Sequence, residues 1–366
     1  MPFPCQRELT FYPEMKSINF EYTGNLHIHS CYSDGAGTVP EIASAAQRLG
    51  LDFVIINDHD YMAHDLHLED EGYYGGVLVL MGMEIGKRYH HYLAYDLKEM
   101  VKGHGSGPQE VIDRVNAQGG FGFLAHPFEK GMPFFEKSIA YTWNDLSVTG
   151  FTGICIWNFS SRWKERVKSA FHAMFFLLFK SRMLKGPNKK TMSFWDDLCR
   201  KKRVVAMGGS DAHGAGFRWG PLSLTPLTYD YTLNSINVHI LSEARLTKDF
   251  AEAKTEIYGA LKEGRIFIAH DNLLPAKGFR FYYVSDDGSS LIMGSEKPFK
   301  PGTLYIKTPL KGKIRLLKNG SVIKQWRGQK ASYRIGKKGV YRVEVYCYMF
   351  PFGWRAWIFS NPIYLR

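Results

Sequence analysis

The chain runs to 366 residues, 45% hydrophobic and 15% aromatic, with a formal net charge of +12. This is ample material for a packed core plus a smaller second unit, and it excludes a disordered or low-complexity protein. Five cysteines, at 5, 31, 155, 199 and 347, form an odd, widely spaced set that suits a reducing compartment better than a disulfide framework.

At the amino terminus, MPFPCQRELTFYPEMK has no basic segment followed by an apolar one, so no secretory signal is read there. No apolar run approaches the ~20 residues of a membrane-spanning helix, and a soluble cytoplasmic protein is expected. From residue 25 to about 270, strand-like and helix-like segments alternate. The predicted strands are Leu26–His29, Asp52–Ile56, Val77–Met81, His91–Tyr95, Phe121–Ala125, Gly153–Trp157, Arg203–Met207 and Ile266–Ala269. Between the first two, TVPEIASAAQRLG reads as a helix with Thr38 as cap, Glu41 as capping-box partner and Gly50 as stop. Gln109–Gln118 before Gly119, and Ala253–Lys262 before Gly264, read as two more. Such alternation predicts parallel strands in a barrel or a doubly wound sheet.

Arg162–Lys190 (RWKERVKSAFHAMFFLLFKSRMLKGPNKK) stands apart, with an apolar centre between two basic ends. Two readings apply: an interfacial helix on an anionic membrane or a lid over substrate, and a barrel helix with one buried face and solvated ends. The centre is apolar all round rather than on one stripe, which favours the second. After Pro275 the texture changes to short β-rich runs such as FRFYYVS, LYIKT and GVYRVEVYCY, with Asn319-Gly320 as a two-residue hairpin signal. These runs imply a small antiparallel sandwich, with a body at 1–272 and a second domain at 276–366. Residues 275–366 hold 18 Lys and Arg against 4 Asp and Glu, so the excess positive charge sits in this tail. It suits an anionic partner (nucleic acid, membrane surface or polyanionic substrate); a merely basic, solvated surface is the plain alternative.

Nine residues carry the chemistry: His27, His29, Asp34, His59, Glu84, His91, His126, Asp211 and His213. Almost every one follows an apolar, strand-like run, and His and carboxylates placed at strand ends are how a barrel assembles a multi-metal hydrolytic centre. His27 and His29, two apart on a strand, are expected to project from one face. Asp34 follows in a glycine-bearing turn, where ordinary Asp-Gly turn chemistry is the plainer explanation. His59 ends the apolar run DFVIIN, flanked by Asp58 and Asp60 as orienting groups. Glu84 ends VLVLMGMEI, where an acid beside a core needs a strong partner, and its two oxygens can bridge two cations. Of the neighbours His90 and His91 only one should face inward, and His91 is taken. His126 is stiffened by Pro127, and GGSDAHG sets Asp211 and His213 on one loop.

This ordered set (HIHSCYSDG, DHD, Glu84 before HHYLAY, AHP, SDAH) resembles the polymerase and histidinol phosphatase (PHP) superfamily over residues 24–270. The β-rich tail ending WIFSNPIYL makes the layout most similar to the branch of carbaryl-type metallohydrolases. The resemblance implies an α/β fold, a distorted (β/α)7 barrel followed here by an all-β, Ig-like sandwich, and a centre of three divalent metal ions. It would place His27, His29, Glu84 and Asp211 on the first ion, Glu84, His91 and His126 on the second, and Asp34, His59 and His213 on the third. Asn57 stands where the family often has Thr or Ser. Nitrogen-rich sites suit Zn, Mn or Fe.

The implied activity is hydrolysis of a phosphomonoester or phosphodiester by metal-activated water, the substrate being a phosphorylated small molecule or another anion. His213 is a candidate acid for the leaving group, Arg218 a candidate for binding a phosphate oxygen, and Asp58 a third catalytic candidate. Alternatives are a carbamate or carboxylic ester hydrolase, a nuclease on nucleic acid ends gripped by the basic tail, and a non-enzymatic protein retaining a metal-stabilised barrel.

Overall fold

The computed structural model describes residues 20–134, 139–214, 216–219 and 222–366. The amino-terminal stretch read for a leader, Cys5 included, lies outside the described residues. In chain order the first strands are β1 (Phe20–Ile28), β2 (Phe53–His59), β3 (Gly72–Tyr74), β4 (Val77–Ile85), β5 (Tyr92–Tyr95), β6 (Phe121–Leu124), β7 (Gly153–Asn158) and β8 (Val205–Gly209). Interspersed are helices α1 (Val39–Arg48), α2 (Pro108–Ala117), α3 (Phe159–Lys164), α4 (Ala170–Phe179) and α5 (Lys189–Lys201). Local chemistry sets α1 as its sequence predicts. The Glu41 carboxylate accepts from the Thr38 backbone N–H at 2.8 Å, and Gly50 leaves the helix at φ +68°. Its Val39, Ile42 and Ala46 pack with Ile56 and Val79 in one buried cluster.

β1, β2 and β4 run parallel, as do β6, β7 and β8. β5 is antiparallel to both neighbours, which corrects the expectation of uniformly parallel strands. The few residues between Ile85 and Tyr92 are too short for a crossover, so the chain must turn straight back. Past β8, Ser210 N donates to Leu26 O, Ala212 N to His27 O and His29 N to Ala212 O. The row β1-β2-β4-β5-β6-β7-β8 therefore returns to its own first strand. Gly209 makes this approach feasible, since a Cβ there would lie 2.4 Å from Leu26 O.

Further on come a two-stranded ribbon, β9 (Phe217–Trp219) with β10 (Leu222–Leu224), then α6 (Tyr229–Thr232), β11 (Ile236–Ser242), α7 (Phe250–Glu263) and β12 (Ile266–His270). β11, which the sequence does not announce, pairs antiparallel with β1 on one side and β12 on the other. The tail contributes β13 (Arg280–Ser285), β14 (Ser290–Ile292), β15 (Glu296–Lys297), β16 (Gly302–Lys318), β17 (Ser321–Ile335), β18 (Gly339–Met349), β19 (Gly353–Ser360) and β20 (Ile363–Leu365). Asn319 and Gly320 form the β16–β17 turn, both at positive φ, as a tight hairpin requires.

The tail is not set apart from the body. β19 pairs with β12, and Asn361 bonds the backbone of Ala206 and Ile266. Phe267, Ala269 and Leu273 share one buried cluster with Ile314, Val343 and Trp357. The segment 162–190 also departs from the barrel-helix expectation. Of α4's described side chains only Phe176 is buried, while Phe171, Met174 and Leu178 face outward.

Candidate metal centre

All nine residues singled out from the sequence converge where β1, β2, β4 and β8 end. The route for His27 differs from the expected strand alternation. The β1–β2 register slips between Leu26 and Ile28, and His27 occupies that bulge at φ +61°. Its imidazole reaches the same centre as His29, ring centroids 5.2 Å apart, because of the bulge. His126 and Asp211 also hold positive φ, at +27° and +54°. Such backbone costs roughly 1–3 kcal/mol per residue and persists where surrounding structure enforces it, typically at functional sites.

Glu84, fully buried at the end of β4, lies in the middle. Its Oε1 meets His91 Nδ1 at 2.9 Å and His126 Nε2 at 3.2 Å. Its Oε2 faces His27 Nε2 at 3.1 Å, His29 Nε2 at 3.4 Å and His59 Nδ1 at 3.4 Å. One carboxylate thus serves two groups of imidazoles through separate oxygens. Asp211 Oδ1 lies 3.5 Å from His27 Nε2 and 3.4 Å from His29 Nε2. Asp34 lies 3.5 Å from His29, 3.4 Å from His213 and 3.6 Å from His59. Four ligand groups result, each with atoms within 4.8 Å of one another: His29, Asp34, His59 and His213; His27, His29 and Asp211; His27, Glu84 and His126; His59, Glu84 and His91. The first contains the set that the resemblance places on the third ion, with His29 added; the second holds three of the four residues placed on the first ion, with Glu84 Oε2 adjacent. The second ion's set is divided, since His91 and His126 share Glu84 Oε1 but group with different imidazoles.

The donor chemistry fits cations. His27 Nε2, both ring nitrogens of His29, His59 Nδ1 and His91 Nε2 are buried without a hydrogen-bond partner. Those of His27, His29 and His59 lie against carboxylate oxygens, and buried imidazole nitrogens left unpaired carry a large desolvation cost that a bound cation relieves. Electrostatics agree. Burial pushes Glu84 up, but His27, His91 and His59 outweigh it and hold the carboxyl well below the ordinary carboxylate range. Burial likewise opposes the ionised form of Asp211, and His27 and His29 reverse it. His29 is driven down to about 3, first by burial and then by His213 and His59. Burial works against charge on His213 too, yet Asp34 and Asp211 raise it to about 9.

His90 turns away from the centre. It adopts φ +62°, and its Nε2 accepts from the backbone N–H groups of Asn144 and Asp145. Asp58, offered as catalytic, instead accepts from Ser30 N at 2.8 Å and Ser30 Oγ at 2.6 Å, and from Ser33 Oγ. It positions the loop that carries Asp34 rather than touching the imidazoles. Asp60 similarly holds Gly86 and Gly103 by their N–H groups. For Arg218 the backbone lies in β9, and its side chain falls outside the description.

Several neighbours went unread in the sequence. Glu129 lies 3.2 Å from His126 Nδ1 and accepts from Ser161 Oγ at 2.9 Å. Burial lowers His126, but Glu129 and then Glu84 reverse this and raise it to about 9. Asn158 donates to Asp211 Oδ2 at 3.1 Å. Lys164 adds positive charge near Asp211 and His213. A cleft of about 420 Å³ opens onto the cluster, and Tyr61, Met132, Tyr141, Trp163, Lys164 and Leu227 are among its walls. Among the described residues no arginine lines it.

Comparison with known proteins bears on this geometry. A curated relative, an uncharacterised protein of Methanocaldococcus jannaschii, is 27% identical over 115 residues, which is 28% of this chain and 67% of the relative. Among solved structures the chain is similar to a two-domain protein of Bacteroides vulgatus containing a predicted PHP-like metal-dependent phosphoesterase. That match has a TM-score of 0.48 and 17% identity, covering 95% of this chain and 97% of the other. It is also similar to PsfC of Pseudomonas syringae, with TM-score 0.38 and 14% identity, covering 63% of this chain and 87% of that one. The family model for the PHP domain matches residues 25–138, a span that holds seven of the nine converging residues and ends before Asp211 and His213. Residues 25–138 of this chain thus match the PHP domain.

Proposed function

We propose that the protein is a metal-dependent hydrolase of phosphoester bonds, working at a centre of three divalent cations held by the nine residues. The observation that carries this is Glu84: its Oε2 faces the buried, unpartnered nitrogens of His27, His29 and His59, while its Oε1 meets ring nitrogens of His91 and His126. We read the closed seven-strand row as the distorted (β/α)7 barrel and the tail as its sandwich. Divalent cations, when bound, would supply Lewis acidity toward a phosphoester oxygen and make water acidic enough to ionise near neutral pH.

The chain's own residues do the rest. Glu84, Asp34 and Asp211 bring the negative charge that cations need, and Asn158 orients Asp211. Glu129 fixes the ring of His126 through Nδ1. His213, facing Asp34 and Asp211 at the cleft wall, would serve a cation as a neutral ligand, its proton released on binding. Lys164 brings positive charge to the cleft wall. Trp163, Met132 and Leu227 form an apolar wall against the non-reacting part of the substrate. That wall favours as second reading an aryl carbamate or carboxylic ester.

Metal analysis of the purified protein, followed by a panel of p-nitrophenyl phosphate, its bis-ester, oligonucleotides, glycerophosphodiesters and an aryl carbamate, tests both. Turnover of a phosphoester that disappears in a folded, metal-poor Asp211→Ala variant is the expected result. Turnover confined to the carbamate selects the second reading. A wild-type protein that binds metal yet turns over no member of the panel, with Asp211→Ala impairing folding, would make the centre a structural one.

A further inference from the structure

Outside the cleft, the most unusual surface is the outward face of α4. Phe171, Met174 and Leu178 are 66%, 55% and 71% exposed, and their i, i+3, i+7 spacing aligns them as one apolar stripe along the helix. A second element extends the patch. In the turn between β18 and β19, Phe350 is 84% exposed, and Phe352 packs on Phe179 with ring centroids 5.2 Å apart. Arg355 Nε, just beyond, donates to Arg182 O at 2.5 Å and so ties the turn to the end of the α4 segment. Two segments far apart in sequence thus present large apolar side chains side by side. Exposed apolar patches of this kind mark interaction sites.

What surrounds the stripe selects its partner. Residues 162–190 hold nine Lys and Arg against a single Glu. Beside the Phe350 turn, Lys313 and Arg327 lie over the Trp354 ring at 4.6 and 5.5 Å, next to exposed Tyr348. Arg166 presses on Arg355, which is part of why the latter's guanidinium is lowered after burial itself. Cations held this close raise the local positive potential. A second copy of the chain would bring two such cationic rims face to face, so like-charge repulsion disfavours self-association. A ten-residue helix is far too short to cross a bilayer, and no described helix is long and apolar enough to do so.

We propose that the α4 stripe and the Phe350 turn dock the protein on an anionic lipid bilayer, the apolar side chains entering the interface and the basic rim meeting the headgroups. Phe176, the buried side of α4, packs on Trp163, which walls the metal cleft, so the docked helix would lie directly against the site.

The test is sedimentation of the full chain with vesicles of phosphatidylcholine, without and with about 30% phosphatidylglycerol. Because it reads partitioning, it is independent of any hydrolytic activity. Wild type is expected to sediment with the anionic vesicles and far less with the neutral ones. The variant Phe171→Ser, Leu178→Ser, Phe350→Ser, whose three side chains are exposed and can be replaced without opening the core, should lose roughly tenfold or more in partitioning. Its circular dichroism and metal content should match wild type. Absence of wild-type sedimentation, or sedimentation unchanged in the triple variant, overturns the proposal. So does a wild-type dimer in analytical ultracentrifugation that the triple variant dissolves, which would give the patch to a second copy.

Discussion

Glu129 shows how much of the centre lies one contact away from it. The carboxylate stands 3.2 Å from His126 Nδ1 and is itself held by Ser161 Oγ, so it sets which nitrogen of that ring faces Glu84. Glu129→Gln preserves size but removes the charge that stabilises His126. Metal affinity, measured by competition with a chelator, is expected to fall by about 10–100-fold while the fold is kept. An unchanged affinity would show that His126 needs no such partner. The nine converging residues were legible because each sits in a short motif ending an apolar run, where packing explains a polar group poorly. Glu129, Asn158 and Lys164 were not, because nothing in EKGMP, WNFS or RWK distinguishes them until folding brings residues 129 and 161 together. His27 joins the cluster by a route that strand alternation does not give, since a bulge at φ +61° aims it, and bulges leave little trace in a single sequence.

Among elements, β11 is the instructive omission. INVHILS alternates apolar and polar residues, and its histidine reads as an ordinary structural one, yet His239 sits between two acids, Glu21 buried and Asp271 largely so. Nδ1 meets Glu21 and Nε2 meets Asp271, each at 2.9 Å, and Arg280 also bonds Glu21. Burial lowers His239, but Asp271 and Glu21 overcome it and raise it to about 9. An unfolded histidine titrates near 6.5, so this imidazolium stabilises the folded state fully below about pH 6.5 and progressively less as pH rises through about 9. Denaturant unfolding should show wild type losing stability relative to His239→Gln between those values, on the order of 3 kcal/mol in all. A difference that stays flat over that window would mean the imidazole is neutral when folded. Gly209 offers a second check at this scale. Gly209→Ala forces a Cβ against Leu26 O where the strand row returns to β1, and a loss of roughly 1–3 kcal/mol is expected. Because Asp211 follows two residues later, metal content should fall with it, whereas a variant as stable and metal-rich as wild type would mean the closure is loose.

At the scale of the whole molecule, composition showed where the strand-rich tail begins but not how it attaches. The strand signals around 266–270 and 353–360 are each visible locally, yet their pairing is a long-range event that no short window records. The consequence is energetic. Removing the tail would uncover Phe267 and Ala269 on β12, strip Asn361 from the backbone of Ala206, and leave Asp196 without Arg342, which holds it through two nitrogens at 2.7 and 2.8 Å. Uncompensated apolar surface and broken buried ion pairs of this kind cost several kcal/mol each, comparable to the entire stability of a typical domain. Calorimetry of the full chain should therefore give one cooperative transition, and a fragment ending at residue 275 should not yield a folded protein. Two separated transitions, or a fragment that folds and binds metal, would show that the body owes nothing to its tail. The same attachment explains how the Phe350 turn of the tail comes to lie beside α4 of the body: β19 is fixed to β12, so its leading turn has a fixed place against the helix next to the cleft.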